Sequence, residues 1–224
     1  MRQQSALLRL SLLLALSTAL VHPVRANGEQ AVSRIAFGAC LHQNKPQPLW
    51  DDVLESNPDL FIFCGDNGYI DTDTPERFPL VYDQLNANEG IQALRKACTV
   101  LGTWDDHDYG RNDFGKTYPL KEVSKKAFSQ FFELPPEHPV HSHGGVYQSY
   151  TYGPKGQRLQ VILLDTRWFR DNIIRDKRTP EEKKAANTVG WYVPHTDTTP
   201  TLLGSEQWDW LEEQLKQEAD VVFW

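Results

Sequence analysis

LFIFCGDNGYIDT, Leu60 to Thr72, runs from an apolar segment straight into a polar loop, and its reading decides the fold. Leu60 to Phe63 carries no charge and reads as a strand buried on both faces. Such strands belong to parallel sheets covered by helices, and ligands in those sheets collect at the carboxyl ends of the strands. The loop GDNGYIDT leaves from that end.

Working outward, the same pattern repeats on both sides. Ser33 to Ala39 reads as a first strand followed by ACLHQ, and Pro48 to Glu55 as a helix presenting Leu49, Trp50, Val53 and Leu54. Downstream, Phe78 to Leu85 reads as a helix, Cys98 to Leu101 as a third strand, and Leu120 to Phe132 as a longer helix stopped by Pro135 and Pro136. This βαβαβ order predicts an α/β fold with three polar motifs, ACLHQ, GDNGYIDT and TWDDHD, at the strand ends. Val146 to Tyr152 and Arg158 to Leu164 flank GPKG as an antiparallel hairpin, and the charged segment DTRWFRD follows. Gly204 to Lys216 reads as a helix, and DVVFW as the start of another buried strand.

The third motif is the richest in chemistry. TWDDHDYGRNDFG, Thr103 to Gly115, holds Asp105, Asp106, His107, Asp108, Asn112 and Asp113. Clustered carboxylates repel one another unless a cation sits among them; alone, the loop is equally a solvated acidic turn. Its place as one of three polar strand ends favours the cation. His138, His141 and His143 have a spacing open to zinc but lie in a Pro and Gly loop, and Asp71 and Asp73 read first as turn-capping residues.

Residues 1–26 combine Arg2 and Arg9, the apolar run Leu10 to Val21 and a small-residue ending at Ala26, the pattern of a secretory signal. The expected mature chain, residues 27–224, is exported to a periplasmic or extracellular space and has no stable membrane span. Removing that segment takes away three Arg and no acids, so the net charge of −7 becomes −10. Such a surface gives no general attraction to nucleic acid, and a phosphate-bearing ligand needs local positive charge. Nothing in the sequence fixes the oligomeric state. Three cysteines, Cys40, Cys64 and Cys98, allow at most one disulfide; each is placed in or beside a strand, with Cys64 and Cys98 read as core residues. No GxSxG motif is present to suggest a serine esterase.

IAFGACLHQNKPQPLWDDV, PDLFIFCGDNGYIDTDT, TWDDHDYGRNDFG, VILLDTRWFRD and LLGSEQWDWLEEQL occur in the order found in the alkaline phosphatase D (PhoD-like) group of metallophosphoesterases, which the chain resembles from about Ser33 to its last residue. The resemblance implies a layered α/β sandwich of two mixed sheets flanked by helices, of which this chain would be the N-terminal part, an incomplete domain. It implies an exported, metal-dependent hydrolase that cleaves phosphomonoesters or phosphodiesters with metal-activated water. It also implies metal ligands at Cys40, Asp66, Tyr69 and Asp106, a weaker one at Asn112, and a phosphate-facing role for His107. Arg167, just beyond the strand in LLDTRWFRD, reads as a fork for two phosphate oxygens or as a structural partner of Asp165 or Asp171, with Arg170 in reserve. Cys and Tyr together suit iron, neighbouring carboxylates suit calcium, and other divalent metals remain open. Cys64 stands where the family has a plain apolar residue, and oxidation to Cys40 would remove a ligand. The competing reading is a secreted calcium-binding or adhesion module without catalysis. The Trp- and Pro-rich segment from Trp168 to Pro200 reads as a lid over the site or as a surface insertion.

Overall fold

A computed structural model describes residues 30–224 of the chain. The signal reading of residues 1–26 lies outside the described residues, among which no helix is long and apolar enough to cross a membrane. Strands β1 (Ile35–Gly38), β2 (Leu60–Cys64) and β3 (Thr99–Thr103) form a parallel sheet in that order. Helices α1 (Trp50–Glu55), α2 (Arg77–Asn86) and α3 (Glu89–Ala97) make the crossovers. The short α4 (Asp106–Tyr109) leaves β3, and α5 (Lys121–Phe131) packs on α2.

The side-chain alternation of β2 sorts the layers. Phe61 and Phe63 enter a core with Trp50, Ile91, Leu94, Phe128, Phe131 and Phe132, on the helix side. Leu60 and Ile62 point the other way and pack with Tyr152, Leu159, Val161 and Leu163. Those partners lie on a second sheet of β4 (Gln148–Tyr152), β5 (Leu159–Leu163) and β8 (Val221–Phe223), antiparallel between β4 and β5 and parallel between β5 and β8. The far face of β5 repeats the device, because Ile162 packs on Leu203 and Leu211 at α7 (Gly204–Leu215) while Gln160 donates to the Gln214 carbonyl at 2.9 Å. The order of layers is helices, parallel sheet, mixed sheet, helix. Of the two sheets expected to be mixed, the first is parallel across its described strands.

Several details depart from the sequence reading, and β8, read as the start of a buried strand, is largely exposed. Glu89–Ala97 is a helix that the apolar pattern does not assign; Asn88 starts it by accepting from the Gly90 and Ile91 N–H groups at 2.9 and 3.2 Å. Cys98 closes that helix instead of opening β3, buried with its thiol on the Leu94 carbonyl. Cys64 is exposed, because it ends β2 where the covering sheet stops, and neither it nor Cys40 is in a disulfide. The loop after α5 puts its histidines to structural use. His138 meets the Tyr150 hydroxyl and accepts from Val140 N, and His143 stacks on Tyr147 at 3.9 Å, so the three rings do not converge as a zinc site.

Between β5 and α7 the chain makes an excursion: the two-stranded ladder β6 (Ile174–Arg175) and β7 (Tyr192–Val193), with α6 (Pro180–Ala185) between them. None of the α6 residues is buried.

Candidate metal centre

Backbone hydrogen bonds lace the three polar strand ends into one surface. Cys40 and Leu41 N–H donate to the Gly65 and Asp66 carbonyls at 3.2 and 2.8 Å, joining the first loop to the second. Ile70 and Asp71 donate to the His107 carbonyl, and Thr72 to that of Gly110, joining the second to the third. Gly65 lets the loops come this close: its φ is +107°, and a Cβ there would lie 2.7 Å from Asp105 Cβ and 2.8 Å from Asp105 N.

Asp108 is the hidden tie. Wholly buried, it accepts from the backbone N–H of Asp105, Asp66 and Asn67 at 2.7, 3.2 and 3.1 Å, and from the Asn67 amide at 2.6 Å. Burial pushes its carboxyl well above the usual range, although these donors oppose the shift. Its side chain therefore holds backbone and is unavailable to a ligand.

On this frame Asp66, Asp106 and His107 each bring a donor atom within 4.8 Å of the others, the metal-type cluster among the described residues. Cys40 Sγ lies 3.6 Å from Asp66 Oδ2, and the Tyr69 hydroxyl approaches both. Three acids of the group, Cys40, Tyr69 and Asp66, are held above their ordinary values. Burial is the main cause at Cys40 and at Tyr69, which is pushed to about 12, with the Asp66 charge next at each. Burial also raises Asp66, while His107 pulls the other way. A thiol, a phenol and two carboxylates, short of positive charge, suit a cation bound by oxygen, nitrogen and sulfur.

The backbone carries strain at the same place. Cys40, Asp66, Asp71 and Asp113 have φ of 61°, 51°, 41° and 65°, a conformation costly for side-chain-bearing residues and concentrated here at the three loops. The surrounding ladder holds them in it.

Several side chains position others. Asp71 Oδ2 accepts from His107 Nδ1 at 2.7 Å, and since a carboxylate only accepts, the proton sits on Nδ1 and the Nε2 lone pair is left open. Asp71 Oδ1 takes the Asn112 N–H at 3.0 Å, a larger role than capping a turn. Gln43 grips Tyr69 through both backbone groups, at 2.9 and 3.0 Å, and the Tyr69 ring lies between those of His42 and His107 at 4.8 and 4.4 Å. Arg167 points its guanidinium at Asp105 and lies 3.7 Å from Asp106, not at Asp165 or Asp171; its Nη1 is buried with no partner among the described residues. Asp165 instead takes the N–H groups of Val146, Arg167 and Trp168, which aims the Arg167 backbone. Asn112 is exposed, and its amide donates to Asp113 at 2.6 Å, outside the Asp66 cluster. Arg170 donates to the Asp113 and Phe114 carbonyls and so supports the acidic loop from behind.

Three comparisons bear on this geometry. A solved structure titled "Structure of PhoD" shares the fold with a TM-score of 0.61 at 20% identity, covering 84% of this chain and 40% of its own. The chain thus spans less than half the length of that relative. No curated protein matches it. The family model for PhoD-like phosphatases matches residues 35–224, which takes in all three strand-end loops and the α7 crossover. With that match lying over the site just described, the chain belongs to the PhoD-like phosphatase family.

Proposed function

We propose that this site hydrolyses phosphate esters with a bound metal cluster, and that the protein works outside the cytoplasm, as its first 26 residues suggest. The observation that carries the reading is the convergence of Asp66, Asp106 and His107 at the carboxyl ends of adjacent parallel strands. Asp66, Asp106, Cys40 and Tyr69 would hold the cations, with iron suited to the thiolate and phenolate and calcium to the carboxylates. Such cations lower the pKa of water and neutralise the phosphate oxygens.

The chain's own residues supply the rest. Asp66, with Oδ2 facing Cys40 Sγ and Oδ1 accepting from the His107 N–H, would hold a cation where the second and third loops meet. His107, fixed by Asp71, can accept a proton at Nε2 or, once cationic, deliver one to a leaving oxygen. Arg167, anchored by Asp105, has the orphaned Nη1 to turn toward a phosphate oxygen. Asp108 and Gly65 keep these groups in register.

The rival reading is an exported calcium-binding module without turnover. Metal analysis of purified protein, with phosphate release from a chromogenic monoester and diester, separates the two. The expected result is iron with calcium and release that an Asp66→Asn change cuts at least about 100-fold. Because this chain matches 40% of the solved relative, weak turnover is expected from residues 27–224 and full turnover from a chain of the relative's length. Calcium with no release from either would establish the binding module, and no metal with no release would overturn both readings.

A further inference from the structure

The excursion between Asn172 and Pro200 is neither core nor free loop. Its ladder places Arg175 opposite Tyr192, and Asp176 N–H extends the pairing to the Trp191 carbonyl at 2.9 Å. Its base is fastened beside the acidic loop. Lys116 pairs with Asp171, Lys116 N–H donates to the Arg170 carbonyl at 2.8 Å, and the Thr117 hydroxyl meets Asn172 at 3.0 Å. Its far strand is fastened to the loop itself, because the Tyr192 hydroxyl donates to Asp113 Oδ2.

Asp113 is one step from the cluster, since its N–H donates to Asp106 Oδ2 at 2.6 Å. Asp113 Oδ2 already accepts from both Asn112 and Tyr192. The Arg175 guanidinium reaches only to 3.9 Å from that oxygen and lies over the Tyr192 ring at 5.6 Å. Arg178 and Lys183 on the same excursion are committed, both facing Asp176. Arg175 is thus a cation held in place by a ring and a carboxylate, 64% exposed, with its hydrogen-bond donors largely unspent.

We propose that Arg175 is a specificity-determining residue of the phosphoesterase site, selecting substrates whose alcohol portion carries a second anionic group, a carboxylate or another phosphate. The inference rests on the phosphoesterase reading. Asp113 and Tyr192 act as its positioning residues, keeping the guanidinium beside the acidic loop, whose Asp113 N–H reaches Asp106. A substrate lying with its scissile phosphate on the cluster then reaches Arg175 with its far end, and a neutral alcohol leaves the guanidinium to water.

The test uses two non-hydrolysable ligands of equal length, phosphonopentanoate and pentylphosphonate, so that it reads binding and not turnover. Calorimetric titration of the metal-supplemented full chain is expected to show phosphonopentanoate binding about tenfold tighter, with the advantage shrinking as salt rises. Arg175→Gln is expected to bring the ratio to within about twofold while pentylphosphonate affinity stays unchanged, and Arg175→Lys to keep part of the preference. A wild-type ratio near one, or a preference that survives Arg175→Gln, overturns the inference and leaves the phosphoesterase reading intact. Failure of both phosphonates to bind overturns both.

Discussion

Each candidate ligand carries a burden imposed by its neighbours. The Cys40 thiol and the Tyr69 phenol must lose protons to bind a cation, yet burial and the Asp66 charge hold both above their ordinary values, Tyr69 at about 12. Their protons are therefore retained at neutral pH without a cation and leave on binding. Metal affinity is expected to rise with pH through the alkaline range, with protons released into buffer, and titration calorimetry in buffers of different ionisation enthalpy measures both. Cys40→Ser and Tyr69→Phe should each flatten that slope. A slope unchanged by either substitution would mean that neither group is a ligand.

Sequence reading reached the loops that carry Asp66, Asp106 and His107 because each follows an apolar strand, where a parallel sheet gathers ligands, and the resemblance singled out those three residues within them. It did not reach the pairs that make those residues usable. Asp71 and His107 stand 36 positions apart and meet only through the backbone ladder between their loops. Asp108 looked like its neighbours in a run of acids; what separates it is that it faces inward from a four-residue helix. Cys64 was misread because period-two alternation gives the face of a strand, not where the cover ends.

Among the elements, β2 bears the heaviest packing load. Phe63 sits at 2% exposure with rings of Trp50, Phe61, Phe131 and Phe132 around it. Phe63→Ala is expected to cost about 3–5 kcal/mol, a transfer loss plus an unfilled cavity, in chemical denaturation. Phe37 on β1 is the control: 64% exposed, with its ring near Phe223, it should cost less than about 1 kcal/mol when cut to Ala. Equal losses would contradict the layer order. That order was legible in part. The unbroken apolar run of β2 announced burial on both faces, and the turn between β4 and β5 announced their hairpin. The pairing of β8 with β5 was not legible, since it depends on a long return of chain through α7.

At the scale of the molecule, stability is spread unevenly. The two sheets and the helices over them share the apolar cores, whereas the excursion meets the rest through Lys116–Asp171, Tyr192–Asp113 and a few hydrogen bonds. Trypsin is expected to cut first at Lys184, exposed on an α6 that has no buried residue, and to leave a nicked chain whose thermal transition stays close to that of the intact one. First cleavage within α5 or β5 would show that the division drawn here is wrong. Hydrogen exchange should rank the same regions in the same order.

The four left-handed residues of the three loops have a consequence for anyone who redesigns this protein. Glycine at Cys40, Asp66, Asp71 or Asp113 would relieve backbone strain, so a search for heat-resistant variants will be drawn to those positions. Each such gain would remove a thiol or a carboxylate from the chemistry. Selection for sturdiness alone would thus tend to erode the site first and leave the layers untouched, and a screen must score metal uptake beside melting temperature to avoid it.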